Sequence, residues 1–316
     1  MFFPKLWLKS KSDKIIYAYY LLLPLTLFWR LLLKIKIYWT ISEKMPVPVI
    51  CVGNLTIGGN GKTPTALKLQ KLLENHGYST HILSKGYKSR LRGPIRVNPD
   101  IHNFMDVGDE PLMLAAYGPT WISKKRTLAV RSALNADANI VILDDGFQNN
   151  SIAKDFSIVV VDTSVGFGNG KIIPAGPLRE PIRVGLDRAN IIIAIGSKDE
   201  KNAFEAEINL LTDTEVIHGR LTPCVSSLDL RDKEVVCFAG IAHPIKFFRL
   251  LENLGAKIKI YDPYFSSKNV FGLNVENNIE NIITNVDAAI IVTAHSEFKK
   301  LELSLFTKMK TPILVD

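Results

Sequence analysis

The sequence predicts an α/β protein: a mostly parallel sheet with flanking helices, a second and smaller α/β unit, and an N-terminal helix associated with a membrane. Three observations carry this prediction. Short Val/Ile-rich runs alternate with longer amphipathic segments, a glycine-rich loop joins the first such run to a helix, and residues 15–29 hold fifteen uncharged positions in succession. Alternation of strand-length apolar runs with helical patterns is the signature of βαβ units, and strands covered on both faces lose the in–out alternation of a half-exposed sheet.

The expected strands of the larger unit are Val47–Val52, Ser79–Leu83, Asn139–Leu143, Ser157–Val161 and Asn190–Ile195. A helix is expected over Thr65–Asn75, with Ala66, Leu69, Leu72 and Leu73 on one face, Pro64 near its start and Gly77 just past its end. Residues Thr163–Arg188 break the alternation with interleaved Gly, Pro and Arg, and an ordered loop of that length is usually functional or mobile. Past the polar stretch Asp229–Lys233, runs at Glu234–Ala239, Ile245–Leu254, Lys257–Tyr261, Asp287–Thr293 and Pro312–Val315 mark the second unit. The boundaries drawn are 1–40 for the membrane-associated helix, 41–230 for the main domain and 231–316 for the smaller one.

Net charge is +8, so anionic partners are expected: phosphorylated ligands, nucleic acid or an acidic membrane face. No aromatic-plus-basic arrangement of an RNA module is present, so nucleic acid is not expected as a partner, and no obligate protein partner is indicated. The three cysteines form no Cys-x-x-Cys pair, in keeping with a reduced compartment. The six histidines have no metal-ligand spacing. The apolar run at 15–29 has lysines before it and Arg30, Lys34 and Lys36 after it. It lacks a cleavage site, contains Pro24, and falls short of the roughly 20 apolar residues of a clean span. A helix lying in or dipping into the membrane interface fits better than a span, or than a helix buried in the soluble domain.

The strand Val47–Val52 leads into Gly53-Asn54-Leu55-Thr56-Ile57-Gly58-Gly59-Asn60-Gly61-Lys62-Thr63 and then a helix, the context of a phosphate loop. Successive N–H groups of such a loop curl around phosphate oxygens, Lys62 reaches the β- and γ-phosphates, and the Thr63 hydroxyl can bind Mg²⁺. The strand at Asn139–Leu143 ends in Asp144-Asp145-Gly146, which offers the metal a carboxylate. Spacing does not decide between Asp144 and Asp145. Asp109 precedes Pro111 and an apolar run, so it is placed as a helix N-cap, and a carboxylate there could equally act as general base on an attacking hydroxyl. A GTPase would carry Asp-x-x-Gly and Asn-Lys-x-Asp, where this chain has Asp144-Asp145-Gly146 and Gly196-Ser197-Lys198-Asp199.

Together these residues carry a resemblance. Val52-Gly-Asn-Leu-Thr-Ile-Gly-Gly-Asn-Gly-Lys-Thr-Pro64, Ser84-Lys-Gly-Tyr87, Val107-Gly-Asp-Glu-Pro111, Leu143-Asp-Asp-Gly-Phe-Gln148 and Pro174-Ala-Gly-Pro-Leu-Arg-Glu-Pro181 resemble the tetraacyldisaccharide 4′-kinases of Gram-negative lipid A biosynthesis. Thr56, where the generic phosphate loop has glycine, is a feature of that family. The resemblance implies a P-loop NTPase-like fold, ATP and Mg²⁺, a lipid A disaccharide precursor as acceptor, and residence on the cytoplasmic face of the inner membrane. It implies that Thr56, Ile57, Gly58, Gly59, Asn60, Gly61, Lys62 and Thr63, with Gln148 and Glu180, hold the nucleotide. Thr63, Asp144 and Asp145 would serve the metal, and Ser84, Tyr87 and Arg126 the acceptor. Asp109, Lys62 and Arg179 would carry the catalysis.

The chain departs from the family pattern in its second unit. An Asp-His pair that supports the catalytic aspartate is replaced by Tyr261-Asp262-Pro263-Tyr264-Phe265, Asn149 follows Gln148 where His is usual, and Thr293-Ala-His-Ser296 stands for Thr-Glu-Lys-Asp. Asp262 and His295 are the candidate substitutes for the missing histidine. General-base assistance is worth roughly 10²–10⁴-fold. Turnover by Asp262→Ala and His295→Ala variants, measured in steady state, should therefore fall in at least one of them; two variants as fast as the parent exclude the substitution.

Overall fold

The computed structural model describes Trp7 and residues 13–222, 229–238, 244–261, 269–270, 273–276, 278–291, 298, 301–311 and 313–315. The chain divides into two compact units, one within Pro4–Leu221 and one from Thr222 to the C-terminus. Asp262 and His295 lie outside the described residues.

In the first unit the elements follow in the order α1 (Asp13–Trp39), β1 (Val49–Gly53), α2 (Lys62–Asn75), β2 (Thr80–Ser84), β3 (Ile95–Arg96), α3 (Phe104–Val107), α4 (Asp109–Ala115) and β4 (Thr120–Ile122). After them come α5 (Arg126–Leu134), β5 (Ile140–Asp144), β6 (Phe156–Asp162), α6 (Ile182–Leu186), β7 (Ile191–Ile195), α7 (Lys198–Ile208) and β8 (Val216–Gly219). The eight-stranded sheet has the order β3-β4-β2-β5-β1-β6-β7-β8 and is parallel throughout except where β3 meets β4. Every residue of β2 and β5 is buried, as are all but the first of β6, because helices cover both faces. One core layer joins Val49, Cys51, Val141, Leu143 and Val159 to Ala129 and Val130 of α5, and the opposite layer joins Val52, Ile142 and Val160 to Ala66 of α2.

Two helix starts differ from those expected. Helix α2 begins at Lys62 rather than Thr65, because Gly61 sits at φ 83 as its N-cap and Pro64 falls in the first turn, where a missing N–H removes no intrahelical bond. Its end is as read: Gly77, at φ 84, donates to Glu74 O at 2.9 Å and Tyr78 to Leu73 O at 3.1 Å, a paired C-terminal closure that needs a residue at positive φ. The N-cap of α4 is Gly108 at φ 94, not Asp109, which is the first helical residue; its Oδ1 accepts from the Glu110 N–H at 3.0 Å. A side chain is rarely tolerated at that φ, so the turn takes glycine and the aspartate is displaced into the helix.

Helix α1 runs 27 residues, with Leu21, Leu25, Leu27, Phe28 and Ile35 exposed along it and Arg30 and Lys34 among them. Among the described residues no helix is long and apolar enough to cross a membrane.

The second unit is built from β9 (Glu234–Phe238), α8 (Pro244–Asn253), β10 (Lys257–Tyr261), β11 (Asn269–Val270), β12 (Leu273–Glu276), α9 (Ile279–Ile283), β13 (Ala288–Ile291) and β14 (Ile313–Val315). Its six strands have the order β11-β12-β10-β9-β13-β14, parallel apart from the β11–β12 pair. β9 lies at its centre, with Val235, Val236, Cys237 and Phe238 fully buried.

Burial governs the two described cysteines. It pushes the Cys51 thiol up to about 11 and the Cys237 thiol up to about 12, so neither holds an appreciable thiolate fraction at neutral pH. Maleimide labelling read by mass spectrometry should leave both unmodified in the native protein and modify both after denaturation.

Candidate functional site

The carboxyl edge of the parallel sheet gathers the site. In the register of β1 against β5, Val52 pairs with Asp144, which sets the glycine loop leaving β1 beside the two aspartates that end β5. Ligands of open α/β sheets bind at this edge. The loop is braced from both sides. Asn60 Nδ2 donates to Thr56 Oγ1 at 2.6 Å, so the hydroxyl of the buried Thr56 stabilises the turn that a glycine would leave unsupported. Ile57 N–H donates to Pro177 O and Arg179 N–H to Leu55 O, each at 2.8 Å, which laces the loop to the Gly/Pro-rich segment after β6.

Lys62 opens α2 and is 8 % exposed; its Nζ lies 3.4 Å from Gly58 O and 3.8 Å from Asp145 Oδ1. Burial lowers its pKa, and the nearby carboxylates oppose that shift. Asp145 adopts φ 49 and receives both Arg179 nitrogens, Nη1 at 2.8 Å and Nη2 at 3.3 Å. Burial pushes the Asp145 carboxyl up, but Lys62 and Arg179 together outweigh it and hold the group below the usual carboxylate range. Arg179 Nη1 also donates to Gln148 Oε1 at 3.0 Å, and Gln148 Nε2 donates to Asn54 O at 2.8 Å and Glu180 Oε1 at 3.1 Å. Glu180 is buried and ion-paired with Arg188, whose guanidinium stacks 4.8 Å from the Phe147 ring centre. Lys62, Asp145, Arg179, Gln148 and Glu180 thus form one connected network.

Asp144 is 1 % exposed, and its Oδ1 has no hydrogen-bond partner. Burial first, then Glu110 and Asp145, raise its pKa to about 7. Glu110 accepts the Thr63 hydroxyl at 2.5 Å. An unpartnered buried carboxylate oxygen, a second carboxylate and a helix-start threonine form a donor set of hard oxygens short of positive charge, which fits Mg²⁺. Among the described residues no three His, Cys, Asp or Glu converge to hold a metal by themselves. Mg²⁺ does not require that, since it commonly takes one or two carboxylates together with phosphate oxygens and waters.

The other expected residues stand apart from this network. Asp109 is exposed, and its Oδ1 accepts from the Glu110 N–H; the residue next to it, Glu110, makes the contact to Thr63. Tyr87 is 72 % exposed, and its carbonyl abuts Gly108, where an added Cβ would lie 3.1 Å away. Ser84 is buried, and its carbonyl accepts from Ser123 N–H at 3.3 Å. Arg126 lies beneath the aspartate turn, 4 % exposed, with Nη2 donating to the carbonyls of Asp144 at 3.2 Å and Asp145 at 3.0 Å. Glu110 is not legible in the sequence because Asp109 alone satisfies the capping and general-base pattern of the Gly-Asp-Glu-Pro run. Its only signal was adjacency.

An open cleft borders the network at Gln148, Glu180 and Arg188. Arg30, Lys34 and Ile37 of α1 form one wall, and Gln148, Val184 and Arg188 another. The arrangement can grip an anionic group with Lys62, Arg179 and loop N–H groups, and can admit a second molecule along α1.

Removing Arg126 should loosen the turn that carries both aspartates. One buried and one part-buried carbonyl lose their donor, at about 1–3 kcal/mol for a fully buried unsatisfied group and less for the other. The Arg126→Met variant should lose roughly 2–4 kcal/mol in chemical denaturation; an unchanged midpoint would show that the guanidinium is not holding the turn.

The family model described as tetraacyldisaccharide-1-P 4′-kinase matches residues 18–311. A curated protein named tetraacyldisaccharide 4′-kinase from Dinoroseobacter shibae is 47 % identical over 215 residues, which is 68 % of this chain and 64 % of that protein's length. One of the same name from Rhodospirillum centenum is 46 % identical over 245 residues, 77 % of this chain and 72 % of the relative. A crystal structure of LpxK from Aquifex aeolicus in complex with ATP superposes with a TM-score of 0.64 at 26 % identity, covering 82 % of this chain and 87 % of that one. The motifs, the sheet order and the family match agree, and the chain belongs to the tetraacyldisaccharide-1-P 4′-kinase family.

Proposed function

We propose that this protein transfers the γ-phosphate of Mg-ATP to the 4′-hydroxyl of a tetraacylated glucosamine disaccharide 1-phosphate, at the cytoplasmic face of the inner membrane of a Gram-negative bacterium. The observation that carries the reading is the convergence of Lys62, Thr63, Asp144, Asp145 and Arg179 at one edge of the sheet, in a chain of this family.

Phosphoryl transfer asks a protein mainly for alignment and for compensation of charge. The N–H groups of Gly58–Lys62 and the start of α2 bind the phosphates, and Lys62 reaches their oxygens. Thr63, with Asp144 and Glu110, would hold Mg²⁺, which would supply charge neutralisation for the phosphates. Arg179, held by Asp145 and Gln148, is the arginine assigned to the γ-phosphoryl group, and Asp145 is also paired with Lys62. Asp109, exposed beside Tyr87, is free to take the proton of the acceptor hydroxyl. Gln148 and Glu180 hold the adjoining wall, and Arg126 holds the aspartate turn from below. The exposed leucines and Phe28 of α1, with Arg30 and Lys34 among them, support contact with an anionic membrane surface.

Purified full-length protein incubated with Mg-ATP and the lipid A disaccharide precursor should place one phosphate on the lipid. The Lys62→Ala variant should lower the rate by about 10² or more, since a charge-stabilising donor at the transferring group is worth that much. Absence of lipid phosphate with the parent chain, or near-parental activity in Lys62→Ala, would overturn the proposal.

A further inference from the structure

We infer that Trp7 is a positioning residue: it straps together the two limbs of the loop that delivers Arg179, so the N-terminal segment has a part in catalysis apart from membrane contact. The inference rests on the kinase reading above for its kinetic consequence, and on geometry alone for the strap.

The loop between β6 and α6 turns back on itself. Asn169 Nδ2 donates to Ala175 O at 2.8 Å and Asn169 Oδ1 accepts the Lys171 N–H at 2.9 Å, while Leu178 N–H donates to Lys171 O at 3.1 Å. Trp7 spans the two limbs. Its carbonyl accepts the Asn169 N–H at 2.9 Å, and its indole N–H donates to Pro174 O at 3.0 Å, 167 residues away in sequence. The approach is close enough that glycine is required beside it. Gly168 sits at φ 60, and an added Cβ would come within 2.5 Å of the Trp7 carbonyl oxygen and 2.6 Å of Pro177 Cγ. Three residues beyond Pro174 the loop reaches the phosphate loop: Pro177 O takes the Ile57 N–H, Leu178 bridges Thr56, and Arg179 N–H reaches Leu55 O. The main chain under Arg179 is therefore held by the phosphate loop on one side and, five to ten residues upstream, by Trp7 on the other.

Loops rich in Gly and Pro bury little apolar surface of their own and open locally unless tied. Two hydrogen bonds from one side chain and its carbonyl supply such a tie at the point where the loop reverses. Loss of the strap leaves Arg179 attached through Leu55 but lets the loop that supports it fluctuate. An arginine that must meet charge developing in the transition state is then held less often in its productive place. Such a defect lowers kcat and leaves KM nearly unchanged.

The test compares Trp7→Ala and Trp7→Phe with the parent in the full-length protein, using three readouts: steady-state kinetics on Mg-ATP and the disaccharide precursor, trypsin cleavage after the exposed Lys171, and co-sedimentation with vesicles of phosphatidylethanolamine and phosphatidylglycerol. In Trp7→Ala, which keeps the residue 7 carbonyl but loses the indole N–H and the ring, cleavage at Lys171 should accelerate by up to about tenfold, as expected for loss of one ordinary hydrogen bond. Its kcat should fall by a similar factor, with both KM values within about twofold and vesicle binding unchanged. Trp7→Phe, which keeps an aromatic ring but has no N–H, should give a smaller change in the same direction. Unchanged Lys171 cleavage in both variants overturns the strap, as does a loss of kcat that follows loss of vesicle binding. Accelerated cleavage in a chain whose parent transfers no phosphate would keep the strap and remove the kinase reading.

Discussion

The ion cluster at Asp145 is the interaction on which the rest of the site depends. Lys62 and Arg179 come from opposite sides, one from the start of α2 and one from the segment after β6, and they meet on a single carboxylate. Taking cations out of water is costly unless charge is returned to them locally, and here one aspartate at positive φ returns it to both. That aspartate is itself placed by Arg126, which clasps its carbonyl and that of Asp144 from inside the core. The sheet sets the stage: with Val52 in register with Asp144, the glycine loop and the aspartate turn lie side by side. A triphosphate entering the loop finds two cations already converged and one neighbouring carboxylate, Asp144, with an unsatisfied oxygen. In the proposed reading the cluster is an anion site whose charge is provisionally balanced by the protein itself.

Much of this could be read from the residues, and the exceptions have physical causes. The sheet is legible because strands buried on both faces favour unbroken Val/Ile runs, which β5 and β6 have, whereas β2 is buried throughout with only Ile82 and Leu83 as its apolar signal. The phosphate loop and the Asp144–Asp145 turn were legible because each sits between a strand and a Gly-marked bend. The start of α4 was not, since Asp109 has the chemistry of a cap while Gly108 has the backbone freedom that the position demands. Glu110 and the place of Arg126 depend on contacts across 47 and 18 residues respectively. No local pattern reports such contacts. Arg126 in particular looks like any arginine opening a helix, and only the fold turns it inward under β5.

The N-terminal segment joins two physical roles. Along α1, exposed apolar side chains and cations suit an interface between water and lipid, and the same helix supplies Arg30, Lys34 and Ile37 to the cleft beside Gln148 and Arg188. In the proposed reading, a lipid acceptor reaches the phosphate site along the cleft that α1 lines. Ahead of the helix, Trp7 ties down the loop that carries Arg179. The proposed membrane contact and acceptor access share one stretch of chain with the Trp7 tie, whereas the phosphate loop and its aspartates are built on the sheet.

Calorimetric titration of Mg-ATP into the full-length protein tests the anion-site account most directly. One saturable site is predicted, weakened by added salt because charge drives it, and weakened further when the metal is chelated and Asp144 with Glu110 is left uncompensated. Heats no different from dilution, or binding indifferent to both salt and metal, would contradict it.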